Sequence, residues 1–229
     1  TLLRHVCPLI KEEGIINTKN TIKINEIFYD IEGEGRYQGL PALFIRTTGC
    51  NLRCRWCDTK YAYFKGTDID TDTLIDIIMN SSYKYVNITG GEPLLFKKQV
   101  NDVIKKSKNK FFTVETNGSV SIKDINADNV SMDLKLPSSG ESKKMQFSNL
   151  KLLREQDQLK LVIGSYQDMV YAKEILQKYK IKAMIIAQPV YGRFNQRDIA
   201  NFVLKNELNW KVSIQLHKML KTVYRKKII

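Results

Sequence analysis

Along this chain of 229 residues, short stretches in which apolar and polar positions alternate are separated by stretches with apolar residues at helical spacing. A two-residue period marks a half-buried strand, and a period near 3.6 marks an amphipathic helix. Residues 1–20 show neither period, so we expect an N-terminal extension over 1–21 followed by one domain over 22–229. Residues 22–28 alternate and predict a strand. Ile31-Glu32-Gly33-Glu34-Gly35 must then be a loop, because two glycines at that spacing break either period. Residues 42–46 predict a buried strand. Further strands are expected at 85–89, 111–115, 130–134, 159–163, 183–187 and 212–215. Helices are expected at 71–79, 97–106, 166–179 and 197–205.

Strand and helix alternating at this rhythm predict βα units around a parallel sheet. About six such units fall short of the eight of a closed barrel. The expected fold is therefore α/β, an incomplete TIM-like barrel of about six βα units with an N-terminal extension. Gly90-Gly91, Thr116-Asn117-Gly118 and Gln188-Pro189 each directly follow a predicted strand. Parallel α/β folds build their sites from the residues at those positions.

Composition narrows the class. Hydrophobic residues make up 43% and are spread along the whole chain, as in a globular unit. No run reaches the roughly 18 apolar residues of a membrane helix. The first residues lack the layout of a secretion signal, so we expect a cytoplasmic protein with no membrane partner. The net charge is +13, from 37 basic and 24 acidic residues. The lysines are scattered, however, and read as solvated faces, so no nucleic-acid partner is required. The basic tail at Arg225-Lys226-Lys227 reads as a frayed terminus.

The chemistry lies in the cysteines. Three of the four fall within eight residues, as Cys50-x3-Cys54-x2-Cys57. One disulfide would leave a thiol over, which argues against a secreted disulfide scaffold. A loop of this size can wrap three thiolates around an iron–sulfur cubane and leave one iron open to chelate a small molecule. A zinc site with Cys7 or His217 as fourth ligand remains an alternative. A simple C-x2-C dithiol would leave Cys50 unexplained. Cys7 and His5 lie outside every motif and read as structural or incidental.

C-x3-C-x2-C after the first strands, Trp56 before the last cysteine, and Gly90-Gly91-Glu92-Pro93 after a strand resemble the radical S-adenosylmethionine (SAM) superfamily. The resemblance sharpens with Asn25-Glu26-Ile27-Phe28, Glu32-Gly33-Glu34-Gly35, Cys57-Asp58-Thr59-Lys60-Tyr61, Glu115-Thr116-Asn117-Gly118 and Gln215-Leu216-His217-Lys218. Together these are similar to the 7-carboxy-7-deazaguanine synthase family, from about residue 22 onward. That likeness implies a lyase converting 6-carboxy-5,6,7,8-tetrahydropterin to 7-carboxy-7-deazaguanine with loss of ammonia, in queuosine and 7-deazapurine synthesis. It implies a [4Fe-4S] cluster on Cys50, Cys54 and Cys57, SAM as a reusable cofactor, and Mg²⁺ at Thr59. It also implies a homodimer and a one-electron donor such as flavodoxin or ferredoxin.

The same likeness assigns Ile31, Glu32, Gly33, Arg46, Thr116 and His217 to the pterin. It assigns Gly90, Gly91, Glu92, Gly118, Ser131, Asp133 and Gln188 to SAM. Two departures stand out. Glu32 occupies a position where many relatives have Gln. Ser131-Met132-Asp133 replaces a Ser-Pro-Lys run, with Lys135 as a substitute for its lysine. Two rival readings stay open: another radical SAM enzyme, such as an activase acting on a protein glycine, and a basic RNA-binding module with a structural metal.

Overall fold

A computed structural model describes residues 20–220 and 226–229. Cys7, His5, nearly all of the expected N-terminal extension and Arg225 lie outside the described residues. Among those described, ten strands form one sheet in the order β10-β1-β2-β4-β5-β6-β7-β8-β9, with β3 pairing β1 off this path. The strands are β1 (Thr21–Ile31), β2 (Pro41–Thr47), β3 (Thr67–Asp70), β4 (Tyr85–Gly90), β5 (Phe111–Thr116), β6 (Asn129–Leu134), β7 (Gln158–Ile163), β8 (Met184–Pro189), β9 (Lys211–Val212) and β10 (Lys226–Lys227). From β2 to β9 every neighbouring pair is parallel, and the sheet does not close. This is the expected partial barrel.

The central strands β2 and β4 to β7 are buried along nearly their whole length. A parallel strand covered on both faces has to be apolar almost throughout, which explains runs such as Phe44-Ile45 and Leu161-Val162-Ile163. Helices α1 (Thr71–Met79), α2 (Lys97–Lys106), α3 (Tyr166–Lys178) and α4 (Gln196–Lys205) cover the outer face. Each buries a narrow stripe, for example Leu74 and Ile78 on α1 and Val100 and Val103 on α2. Asp70, Ser165 and Asn195 cap α1, α3 and α4 by accepting from backbone N–H groups of the first turn.

The alternation is less regular than its period suggests. The β5–β6 crossover has no α-helix, and the β6–β7 crossover is built from short 3-10 turns. β1 runs antiparallel to β2, since the loop of residues 32–40 simply reverses the chain. The strand expected at 212–215 contributes only Val212 to β9. Beyond it the chain turns inward, and Leu216 N–H donates to the Gly33 carbonyl at 2.9 Å. A short helix, α5 (Leu216–Met219), follows.

Candidate active site

At the C-terminal ends of the parallel strands lies a cavity of about 670 Å³, within the ~300–1,000 Å³ range of small-molecule sites. Three segments wall it: the β1–β2 loop, the cysteine loop after β2, and the C-terminal turn at Gln215–Lys218. Asp58 and Lys218 form an ion pair at 3.0 Å and tie the cysteine loop to that turn.

Cys50, Cys54 and Cys57 all line this cavity, half-buried and unbridged. Their loop is folded by its own backbone. Cys57 N–H donates to the Cys54 carbonyl, Arg55 N–H to Ser139, and Arg53 N–H to the buried Glu141 carboxylate at 2.7 Å. The Cys50 sulfur has only weak donors, Leu52 N–H at 3.5 Å and Asn117 Nδ2 at 3.6 Å. Burial pushes the Cys50 and Cys54 thiols up, and the Lys135 ammonium opposes that shift. Among the described residues no three His, Cys, Asp or Glu side chains converge as a single metal ion would require. Three thiols facing one cavity fit a cluster, in which each thiolate would meet its own iron.

The Gly90-Gly91 pair works differently from the simple reading that glycine lets a ligand approach. Gly90 has φ +139°, and a side chain there would strike the Thr47 backbone, while one on Gly91 would strike the Gly49 carbonyl. The glycines therefore let the end of β4 pack against the root of the cysteine loop, and both residues still line the cavity. Glu92 is fully buried. Its carboxylate accepts from Leu94 N–H, Thr116 Oγ1 and Asn117 N–H, at 3.0, 2.8 and 2.7 Å. It thus shapes the exit of β5 from behind the wall.

Of the other expected residues, Ile31, Glu32, Gly33, Arg46, Thr59, Thr116, Asp133 and His217 line the cavity. Gly118, Ser131 and Gln188 stand outside its lining. Gly118 carries φ +76° and packs against Met145 and the Asp133 carbonyl. Ser131 Oγ accepts from Gln158 Nε2 at 2.7 Å, and Gln158 Oε1 in turn accepts from Arg36 N–H at 2.6 Å, pinning the β1–β2 loop. Gln188 Nε2 donates to Glu34 at 2.8 Å. Arg46 Nε is ion-paired with Glu26 at 2.8 Å, and its guanidinium lies over the Phe28 and Tyr61 rings. Thr59 Oγ1 is 3.5 Å from the Cys57 sulfur. The His217 ring packs onto Gly33, where a methyl group would collide with it.

The floor is a charge network that the strand pattern did not announce. Lys160 Nζ, on β7, lies 3.0 Å from Glu34 Oε2, 3.6 Å from Glu115 Oε1 and 3.6 Å from Asp133 Oδ1. Lys135 Nζ takes the other Asp133 oxygen at 2.5 Å. Burial alone would raise the Glu34 carboxyl. Lys160, together with hydrogen bonds from Gln215 and Gln188, outweighs burial and holds Glu34 at about 2. Burial would lower Lys160, but its three carboxylates keep it well above the usual lysine range. Glu32 goes the other way. Burial, then the nearby Glu115 charge, pushes it to about 8, even though it accepts from Asn87 Nδ2 at 2.6 Å. The readable signal was one charged residue inside an apolar strand, Leu159-Lys160-Leu161, beside Val114-Glu115 and Met132-Asp133.

Comparison with known proteins agrees with this arrangement. The family described as the radical SAM superfamily matches residues 44–203. The chain is 38% identical to the 7-carboxy-7-deazaguanine synthase of Methanospirillum hungatei over 205 residues, covering 87% of this chain and 85% of that protein. It is also 38% identical to the enzyme of that name from Thermoplasma acidophilum (86% and 96% covered) and 36% to that from Clostridium acetobutylicum (86% and 95%). The crystal structure of QueE from Escherichia coli shares the fold, with a TM-score of 0.71 at 24% identity over 86% of this chain and 95% of that one.

Proposed function

This chain belongs to the 7-carboxy-7-deazaguanine synthase family of the radical SAM superfamily, and from that premise we propose how its cavity contracts 6-carboxy-5,6,7,8-tetrahydropterin to 7-carboxy-7-deazaguanine with release of ammonia. The observation that carries the reading is convergence. The three thiols, the Gly90-Gly91 turn and the segment Ile31-Glu32-Gly33 share one cavity at the strand ends.

Cys50, Cys54 and Cys57 would hold a [4Fe-4S] cluster, and Gly90 and Gly91 would meet the methionine end of SAM. When bound, cluster and cofactor supply the electron and the carbon radical that starts the rearrangement. The chain's own residues position and insulate. Arg46, oriented by Glu26, is the cation for the substrate carboxylate. Thr59 would offer its hydroxyl to Mg²⁺, an ion that takes oxygen ligands. Glu32 accepts from the pterin N–H edge, and Thr116 and His217 bound the same ring. SAM contact is assigned to Asp133 on the cavity wall. Glu92, Gly118, Ser131 and Gln188 shape the walls from behind. The Asp58–Lys218 bridge ties the cysteine loop to the C-terminal turn on one side of the cavity.

We place the enzyme as a homodimer in the cytoplasm, reduced by a flavodoxin- or ferredoxin-type donor and serving queuosine or other 7-deazapurine synthesis. No helix among the described residues is long and apolar enough to cross a membrane. We also keep residues 22–229 as one domain, with the preceding residues as an extension. Anaerobic reconstitution with SAM and the tetrahydropterin, read by mass spectrometry, is expected to give the deazaguanine acid and one ammonia per turnover. SAM cleavage without that product would transfer the protein to another radical SAM activity, such as protein-glycine activation.

A further inference from the structure

We infer that Asn117 is a positioning residue for the iron–sulfur centre: its side-chain amide donates to the Cys50 sulfur and raises the reduction potential of the cluster. This rests on the radical SAM reading, which puts that cluster on the three thiols. No bond forms or breaks in the step concerned. An external one-electron reductant is oxidised, and the cluster is reduced by one electron.

Asn117 stands just past β5, where Glu92 fixes its backbone by accepting from its N–H at 2.7 Å. The side chain belongs to a closed ring of hydrogen bonds. Asn117 Nδ2 donates to Asn51 Oδ1 at 3.0 Å, Asn51 Nδ2 donates to Ser119 Oγ at 2.7 Å, and Ser119 Oγ donates to Asn117 Oδ1 at 2.6 Å. Ser119 N–H donates to the same oxygen at 2.9 Å. Gly118, at φ +76°, turns the chain tightly enough for that bond. A reversed Asn117 amide would set its NH₂ group against the Ser119 N–H, so the ring fixes which way the amide points. The amide nitrogen carries two hydrogens. One serves Asn51, and the other is directed at the Cys50 sulfur, 3.6 Å away.

The contact gains strength with the charge on the sulfur. A neutral thiol is a weak acceptor, whereas a metal-bound thiolate makes the same contact a charge-assisted bond. Asn117 is buried, so water competes poorly for its amide. Reduction adds a negative charge to the cluster, and part of it falls on the sulfurs. A donor already aimed at one of them stabilises the reduced state more than the oxidised state. The Leu52 N–H at 3.5 Å is the backbone's own donor to Cys50. Asn117 adds to it a side-chain donor, which substitution can remove while all three ligands stay in place. Asn51 and Ser119 act only through Asn117, by holding its amide in the productive orientation.

The test is an anaerobic redox titration of the reconstituted protein without SAM, followed by the visible absorption of the cluster and by EPR of its reduced state. Asn117→Leu keeps the shape of the side chain and removes the donor. It should still take up the cluster, and its ratio of reduced to oxidised cluster at a given potential should fall about tenfold, a midpoint about 59 mV more negative for one electron. ENDOR of the reduced cluster should also lose one exchangeable-proton coupling. Ser119→Ala opens the ring but leaves the amide, and should give a smaller shift in the same direction. Thr116→Val removes a different hydrogen bond of the same turn, the one to Glu92, and should leave the midpoint unchanged. An unshifted midpoint in Asn117→Leu overturns the proposal. Where that variant takes up no cluster, an unshifted midpoint in Ser119→Ala overturns it instead. An equal shift in Thr116→Val also overturns it, by showing that any loosening of the turn has the same effect. Wild-type protein that takes up no [4Fe-4S] cluster would refute the radical SAM reading itself, and this proposal with it.

Discussion

Replacing Lys160 with Met would keep most of the side chain's length and remove its charge. The ammonium is nearly inaccessible and faces three carboxylates at 3.0, 3.6 and 3.6 Å. With an effective dielectric of ~20, those distances correspond to gross attractions of about 5 kcal/mol each. Taking the ammonium out of water offsets several kcal/mol of that total. A second route bounds the net effect. Glu34 is held at about 2, against 4.5 for a free glutamate, and by linkage that shift is worth roughly 3 kcal/mol. Breaking a buried pair by removing one partner costs about 3–5 kcal/mol. Lys160→Met is therefore expected to lose about 3 kcal/mol or more in urea unfolding near pH 7.

The pH dependence carries a sign. A carboxyl depressed in the fold stabilises above its unfolded value and loses that contribution as pH falls through the folded one. The wild-type advantage should thus be full at pH 7 and shrink between about pH 4.5 and 2. Repeating the substitution in a Glu34→Gln background should cut its cost by at least ~1.5 kcal/mol, with the remainder due to Glu115 and Asp133. A loss below ~1 kcal/mol, or the same loss in both backgrounds, would falsify the claim that Lys160 anchors the floor.

Three further outcomes are expected. Glu32 is raised in the fold to about 8, so its ionisation weakens the fold as pH rises from about 4.5 through 8. Glu32→Gln should accordingly stabilise by a few kcal/mol at pH 8.5 and be nearly neutral at pH 5; equal effects at both pH values in urea titrations would contradict this. Gly33→Ala would drive a methyl group into the His217 ring. It should lower kcat/KM by tenfold or more and destabilise by about 1–3 kcal/mol, and steady-state turnover with thermal melting checks both. Cys54→Ala should abolish the visible absorption of the cluster and all SAM cleavage while the urea-unfolding free energy of the cluster-free protein stays within about 1 kcal/mol of wild type. A variant that kept the chromophore would remove Cys54 from the ligand set.

The sequence determined the elements, because two-sided burial leaves short apolar runs for the strands and one-sided burial leaves a 3.6-residue period for the helices. The four main helices begin and end within about a residue of where the periodicity put them. The cysteine spacing and the polar clusters after β4 and β5 were likewise local signals. Tertiary structure decided what lies far apart in the chain. Glu34, Glu115, Asp133 and Lys160 come from four segments; strand register brings the last three together, and the β1–β2 loop carries Glu34 to them. Only folding showed that Ser131 and Gln188 are spent on the β1–β2 loop, and that Arg46 already has Glu26. It also turned residues 213–217 inward, because Gly33 offers a carbonyl to Leu216 and room for His217. Periodicity reports whether a residue faces the interior. Which charge it meets there depends on neighbours up to a hundred residues or more along the chain, and no local pattern encodes that.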